Sequence, residues 1–257
     1  MSKRLQRLRR WRESQRAAWA ERQQLLQAEP PKAGAWADVA GLLVLAMLAP
    51  SLASYVMAHA GPPGVPDLGQ VAFGGGLLVG YAWWRARGDR DPVATLGLRS
   101  GLGAYAILFG VFFALGIFLM AGIVQRGFEL FGGAKALEHQ DQSLDAFRAI
   151  PLHIALPMAL CAGVYEEIVA RGFLLDRLRK GLAYSGAPKG EWLPVLLGAW
   201  LFGLGHAYQG PIGVVKTFVA GLIFSFAASL DRGGVRVAIV AHVLVDSGSF
   251  LLLRYAE

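Results

Sequence analysis

The chain has 257 residues, of which 55% are hydrophobic and only 17% are charged, and its mean hydropathy is +0.44. A soluble domain of ordinary composition carries about 25% charged residues, so these values exclude a typical water-soluble globule and a disordered chain. The composition instead predicts an integral membrane protein. The single cysteine, Cys161, excludes an internal disulfide framework and a cysteine-rich zinc site.

The net charge of +7 is concentrated at the N-terminus, because residues 1–35 contain nine Lys or Arg and three Glu and therefore carry +6. This basic stretch is too long for a cleavable signal peptide, and no apolar segment with a small-residue cleavage site follows it directly. We expect residues 1–35 to form a cytoplasmic tail or an interfacial helix whose arginines bind anionic lipid head groups. A nucleic-acid partner is not expected.

Seven apolar stretches approach the length of about 20 residues that a helix needs to cross a bilayer. They are residues 36–60, 68–84, 102–124, 150–175, 192–207, 212–230 and 235–253. The second and fifth are short, and the fourth carries charges in its second half, so eight crossings is the alternative. Residues 36–257 are thus predicted to form an all-α, polytopic membrane helix bundle.

The orientation follows from the Lys and Arg residues, which are retained on the cytoplasmic side of a membrane. With the N-terminus inside, the inner segments hold 19 such residues and the outer segments hold four. The N-terminus is therefore predicted to be cytoplasmic.

High Ala, Gly and Arg content is typical of a GC-rich bacterial genome, so we expect a multi-pass protein of a bacterial inner (plasma) membrane. The outer loop, residues 125–149, is predicted to include a short surface helix.

Three apolar stretches contain polar motifs, and ionisable groups inside spanning helices usually mark a functional site. The motif side chains are Glu166, Glu167 and Arg171 in the fourth stretch, His206 in the fifth, and His242 and Asp246 in the seventh. At about 1.5 Å per residue from the inner helix ends, Glu166, His206 and Asp246 each lie roughly 15 to 20 Å deep. We therefore expect the three motifs to meet near mid-membrane.

Helical spacing separates the roles of the two glutamates. Glu167 and Arg171 stand at i and i+4, which favours an ion pair on one face, whereas Glu166 is rotated by about 100° and lacks this partner. Glu166 is thus the better candidate for a general base and Glu167 for a structural pair. The alternative is that both lock helices through buried hydrogen bonds. Likewise, His242 and Asp246 at i and i+4 share one face, so the carboxylate can orient the imidazole or both can face a common point. The alternative is a hydrogen bond within the helix.

Together, Glu-Glu-x-x-x-Arg, Phe-x-x-x-His and His-x-x-x-Asp on successive hydrophobic helices resemble the motifs of the CPBP family. This family comprises intramembrane proteases typified by the type II CAAX prenyl endopeptidase, and it includes bacteriocin-immunity proteins. The resemblance covers about residues 145–255 and implies a membrane endopeptidase. It implies that Glu166 activates a water, that His206 helps to hold this water, and that His242 and Asp246 stabilise the oxyanion. Residues 91–98 resemble a cytoplasmic stretch found ahead of the core in bacterial members.

Asp246 departs from the asparagine of the best-studied CAAX enzymes. An ionised carboxylate repels an oxyanion, so Asp246 is expected to be protonated, to orient His242, or to bind a metal. The set Glu166, His206, His242 and Asp246 is a plausible zinc site with an open position for water. The family is widely called metalloprotease, and a metal-free glutamate mechanism is the alternative, so the cofactor stays open.

The leading hypothesis is an intramembrane endopeptidase that acts on a membrane peptide or protein. A non-catalytic scaffold or bacteriocin-immunity factor would keep the fold and work by binding. A proton-coupled transporter would use the same ionisable groups as a relay, but transporters commonly contain paired internal repeats and this sequence shows none.

Overall fold

The computed structural model describes residues 32–60, 66–98, 103–131, 133–187, 192–231 and 234–255, together with Gln6, Glu13 and Gly190. In this part of the chain all regular structure is helical, which confirms the predicted all-α class. The α-helices are α1 (Gly34–Ala60), α2 (Pro66–Ala86), α3 (Pro92–Thr95), α4 (Ala104–Leu130), α5 (Ala134–Arg148), α6 (Leu152–Glu167), α7 (Leu175–Tyr184), α8 (Trp192–Gly205), α9 (Gly210–Leu230) and α10 (Arg236–Tyr255). The tail predicted for residues 1–35 lies almost entirely outside the described residues.

Each of the seven predicted apolar stretches is a helix, and five helical segments are long and apolar enough to cross a membrane. These five are Gly34–Ala58, Ala104–Leu130, Leu152–Tyr184, Ala207–Leu230 and Arg236–Tyr255. The other two predicted crossings are α2 and α8. Helix α8 has 14 residues, a length of about 21 Å, and so it falls short of a hydrocarbon core of about 30 Å.

Helix α8 ends at Gly205, beside His206, and a 3₁₀ turn (Ala207–Gln209) leads directly into α9. Helix α5, the predicted surface helix, packs on this turn. The turn needs a glycine at position 210, where φ is +74° and where a Cβ would overlap the ring of His139. His206 therefore lies at the end of the short α8, and the polar helix α5 packs over this end.

Helix α10 packs against α4, α6 and α9, so it holds the third motif at the centre of the bundle. Two buried apolar clusters flank this position. One joins α1 and α2 to the C-terminal half of the α6 to α7 segment and includes Leu42, Ile168 and Phe173. The other joins α4, α9 and α10 and includes Phe113 and Phe224. The polar motif residues lie where these two clusters meet.

Residues 91–98 connect two helices that carry motif residues. Asp91 caps α3 by accepting a hydrogen bond from the backbone N–H of Ala94 at 2.8 Å. The backbone of Leu96 lies so close to Gly172 that a Cβ there would be 2.6 Å from the Leu96 oxygen. The next residue, Gly97, accepts a hydrogen bond from the N–H of Val235 at 3.2 Å. This segment therefore joins the region after α6 to the start of α10.

A buried polar cluster ties α1 and α2 to α7. The guanidinium of Arg177 lies 2.6 Å from Asp38, 2.8 Å from Asp89 and 2.6 Å from Asp176. Burial would raise the pKa of Asp89, but the hydrogen bond and charge of Arg177, with Lys180 and Lys32, outweigh it and hold this pKa below its usual value. Arg177 thus binds carboxylates from three parts of the chain.

Candidate active site

The first motif lies where α6 changes its helical geometry. After Glu167 the chain continues as a π-helix, Ile168–Leu174, which contains Arg171. Short π-helical turns are rare and frequently occur at functional sites, because the extra residue redirects the side chains around it. This stretch was predicted to be a regular helix, because nothing in the spacing of its residues predicts the change from α-helix to π-helix.

Glu167 connects two motifs and is fully buried. Its Oε1 accepts a hydrogen bond from Arg171 Nη1 at 2.9 Å, which is the predicted i to i+4 pair. The same oxygen lies 2.7 Å from Nδ1 of His242 on α10, a contact that was not predicted. Because a carboxylate can only accept, Nδ1 carries the proton and Nε2 faces the opposite side of the ring.

The Nε2 side of His242 faces the two remaining carboxylates. Glu166 Oε2 lies 3.9 Å from Nε2, and Asp246 Oδ2 lies 3.5 Å from it. Nδ1 is held by Glu167, so the predicted contact between Asp246 and the imidazole is on the Nε2 side. Both nitrogens of the His242 ring therefore face carboxylates, and Glu166 and Asp246 share one side of the ring.

His206 reaches this group of residues through an aromatic neighbour. Its Nδ1 lies 2.9 Å from the backbone oxygen of Phe202, which leaves Nε2 as its other polar atom. The Phe202 ring centroid lies 4.8 Å from that of His206 and 5.9 Å from that of His242. The structure thus brings all six predicted residues into one region, with His206 at its edge.

Phe224 on α9 completes the surroundings of His242, and the sequence analysis missed it. Its ring stacks on the imidazole with centroids 4.7 Å apart and planes 19° apart. The guanidinium carbon of Arg171 lies 4.2 Å from the Phe202 centroid and 5.1 Å from the Phe224 centroid. Stacked rings restrain the imidazole and the guanidinium at the same time. No local pattern distinguishes Phe224 from the other aromatic residues of an apolar helix.

The site includes the four residues that the sequence predicted as a zinc site. Among the described residues, no group of three or more His, Cys, Asp or Glu side chains has the geometry to hold a metal ion. His242 Nδ1 is bonded to Glu167, and His206 Nδ1 lies against the Phe202 carbonyl. Metal-binding histidines make similar contacts at Nδ1, so these two contacts do not decide the question. The positions of the side chains do, because the predicted set Glu166, His206, His242 and Asp246 does not have metal-binding geometry in the described structure.

The contact between α6 and α10 depends on Gly163. A Cβ at this position would lie 2.9 Å from the backbone nitrogen and 3.2 Å from the Cα of Val243, the residue after His242. Backbone atoms cannot move aside as a flexible side chain can, so we expect Gly163→Ala to separate the two helices and to destabilise the protein by about 1 to 3 kcal/mol. Thermal unfolding in detergent measures this change.

The matched control is Gly116→Ala on α4, where a Cβ would meet nothing within 4 Å. This variant is expected to keep or slightly raise Tm, because alanine favours a helix more than glycine does. Equal Tm values for the two variants would contradict the close packing at Gly163.

Fold and site together define a helical membrane protein with a buried glutamate and histidine centre. Residues 148–248 match the family model described as "Type II CAAX prenyl endopeptidase Rce1-like". The resemblance predicted from the three motifs is therefore confirmed for this segment, which contains all six predicted site residues and spans less than half of the chain. No curated protein and no solved structure matches the chain.

Proposed function

We propose that the protein is an intramembrane endopeptidase in which Glu166 is the general base. The observation that carries the proposal is the environment of Glu166 Oε2, which is buried and has no hydrogen-bond partner among the described residues. A buried carboxylate oxygen without a partner costs free energy, and such an atom is retained where its partner is a reactant. Oε2 lies 3.9 Å from His242 Nε2, so the proposed base and a ring nitrogen converge on one point, and this is where we propose that the reacting water binds.

Hydrolysis then follows in two steps. Glu166 takes a proton from the water, and the water oxygen forms a bond to the carbonyl carbon of the scissile peptide. The carbon to nitrogen bond then breaks, and Glu166 returns its proton to the leaving amine. Water and peptide are consumed, and a carboxyl group and an amine are formed, so Glu166 ends each cycle in its starting state.

His242 is assigned to the oxygen that gains negative charge. With a second proton on Nε2, His242 is an imidazolium whose Nε2–H can donate to the oxyanion, while Glu167, itself paired with Arg171, holds the ring at Nδ1. An ionised Asp246 would repel the oxyanion, so we assign this carboxylate to His242, whose positive charge it compensates at 3.5 Å. We assign Nε2 of His206 to the second hydrogen bond that positions the water.

We place this site in a multi-pass helix bundle with the N-terminus in the cytoplasm, in a bacterial inner membrane. The five long apolar helices and the excess of Lys and Arg in the inner segments support it. The seven crossings expected from the sequence stay a prediction, because α8 alone is shorter than the hydrocarbon core. The substrate is proposed to be a membrane peptide or protein, and the basic tail is proposed to bind anionic lipids.

The reaction is tested with purified protein in lipid nanodiscs and a library of membrane-spanning peptides. In ¹⁸O-labelled water, hydrolysis is expected to yield fragments whose new C-terminal carboxyl group carries one ¹⁸O, which mass spectrometry detects. The control is Glu166→Gln in the same nanodiscs. Fragments that form equally with both proteins, or with neither, would contradict the proposal and favour a scaffold that works by binding.

A further inference from the structure

The two oxygens of Glu166 have different surroundings. Oε2 has no hydrogen-bond partner among the described residues and faces His242. Oε1 accepts a hydrogen bond from the hydroxyl of Tyr165 at 3.2 Å. A carboxylate held through one oxygen can turn only slightly, so this bond determines the direction in which the other oxygen points.

The ring of Tyr165 is itself held by α2. It lies against Gly75, where a Cβ would be 2.6 Å from Cγ and 2.9 Å from Cε1 of the tyrosine. Cγ is the ring atom bonded to Cβ, so it cannot move away from Gly75 without a change of rotamer or a shift of the helix. Only a glycine at this position allows the ring to occupy its place.

We infer that Tyr165 is a positioning residue for Glu166, and that Gly75 provides the slot in α2 that holds it. The inference rests on the proposed function, because it concerns the direction of the proposed base. It extends the site beyond the matched segment, since Gly75 lies outside residues 148–248. None of the three motifs includes Tyr165 or Gly75.

Tyr165→Phe tests the hydrogen bond while it keeps the ring. Misplacement of a reacting group by about 1 Å can cost about 100-fold in rate, so we expect kcat to fall by about 10 to 100-fold. KM is expected to stay within about threefold of the wild-type value, because the change affects the reacting group and not substrate binding. If the wild type cleaves peptides and Tyr165→Phe has the same kcat, the inference is wrong and the proposed function stands.

The role of Gly75 is tested by alanine substitutions at two neighbouring glycines of α2. Gly75→Ala is expected to displace the Tyr165 ring and to lower kcat at least as much as Tyr165→Phe does. Gly76→Ala is the matched control, because a Cβ at Gly76 meets nothing within 4 Å. This control is expected to keep kcat within about twofold of the wild type. Equal kcat values for Gly75→Ala and Gly76→Ala would overturn the role of the slot.

A third measurement does not depend on activity. Tyr165→Phe is expected to lower Tm by about 2 to 4 °C, which is the shift for the loss of one hydrogen bond of typical strength. In a Glu166→Leu background the same change is expected to leave Tm unaltered, because the acceptor is already absent. Additive Tm shifts would show that the two side chains are not coupled and would overturn the inference even if no substrate is cleaved.

Discussion

Replacement of Glu166 by glutamine is expected to slow peptide hydrolysis by about 10² to 10⁴-fold, the usual contribution of a general base. Glutamine keeps the size of the side chain and can still accept a hydrogen bond from Tyr165, but it cannot take a proton from water. The fold is expected to be unaffected. Glu166→Gln even removes a buried carboxylate oxygen that has no hydrogen-bond partner among the described residues, so Tm should stay the same or rise.

Single-turnover cleavage of a membrane peptide in nanodiscs measures the rate, and thermal unfolding measures Tm. The matched control is Glu138→Gln on α5, an exposed glutamate that lies outside the motifs. This control should cleave at the wild-type rate. A Glu166→Gln variant that cleaves within about threefold of the wild type would exclude Glu166 as the base, because a base contributes at least about 100-fold.

Replacement of Arg177 by methionine is expected to be the most destabilising change outside the site. The guanidinium is fully buried and binds Asp38, Asp89 and Asp176. Arg85, Lys32 and Lys180 also bind these carboxylates, but none of them contacts all three. Removal of the shared partner of a buried ionic group typically costs about 3 to 5 kcal/mol. Because Asp38 belongs to α1 and Asp89 follows α2, the loss is expected to loosen both N-terminal helices from α7.

Thermal unfolding in detergent measures this effect, and proteolysis between α2 and α3 reports whether the N-terminal helices detach. Arg126→Met is the control, since Arg126 forms an exposed pair with Glu129 whose loss should cost no more than about 1 kcal/mol. A single Arg177→Met variant as stable as Arg126→Met would show that the buried cluster does not hold the helices together.

The contacts of Glu167 show which interactions can be predicted from the sequence and which cannot. Its pairing with Arg171 was predicted, because residues four apart share a helix face even though the segment turns out to be partly π-helical. Its contact with His242 joins residues that are 75 positions apart. Helical periodicity states which side chains lie on one face, but it does not state which helix that face meets.

The same limit applies to Gly75, Tyr165 and Phe224. Gly75 lies within a run of three glycines on an apolar helix, and the sequence does not distinguish the one that receives an aromatic ring from the one that faces open space. Tyr165 is adjacent to Glu166, so adjacency to the predicted base could have drawn attention to it. For Phe224 there was no such signal.

The sequence by itself determined the membrane class, the all-α fold and the apolar stretches, and it predicted the six polar residues of the candidate site. Each of these follows from composition or from spacing along one helix, where burial of a charged group in an apolar segment is costly and therefore informative. Only the tertiary structure decided that Glu167 holds Nδ1 of His242, that Glu166 and Asp246 share the Nε2 side, and that Tyr165 occupies a slot in α2. These are contacts between helices, and they depend on the relative rotation and depth of helices that close packing sets.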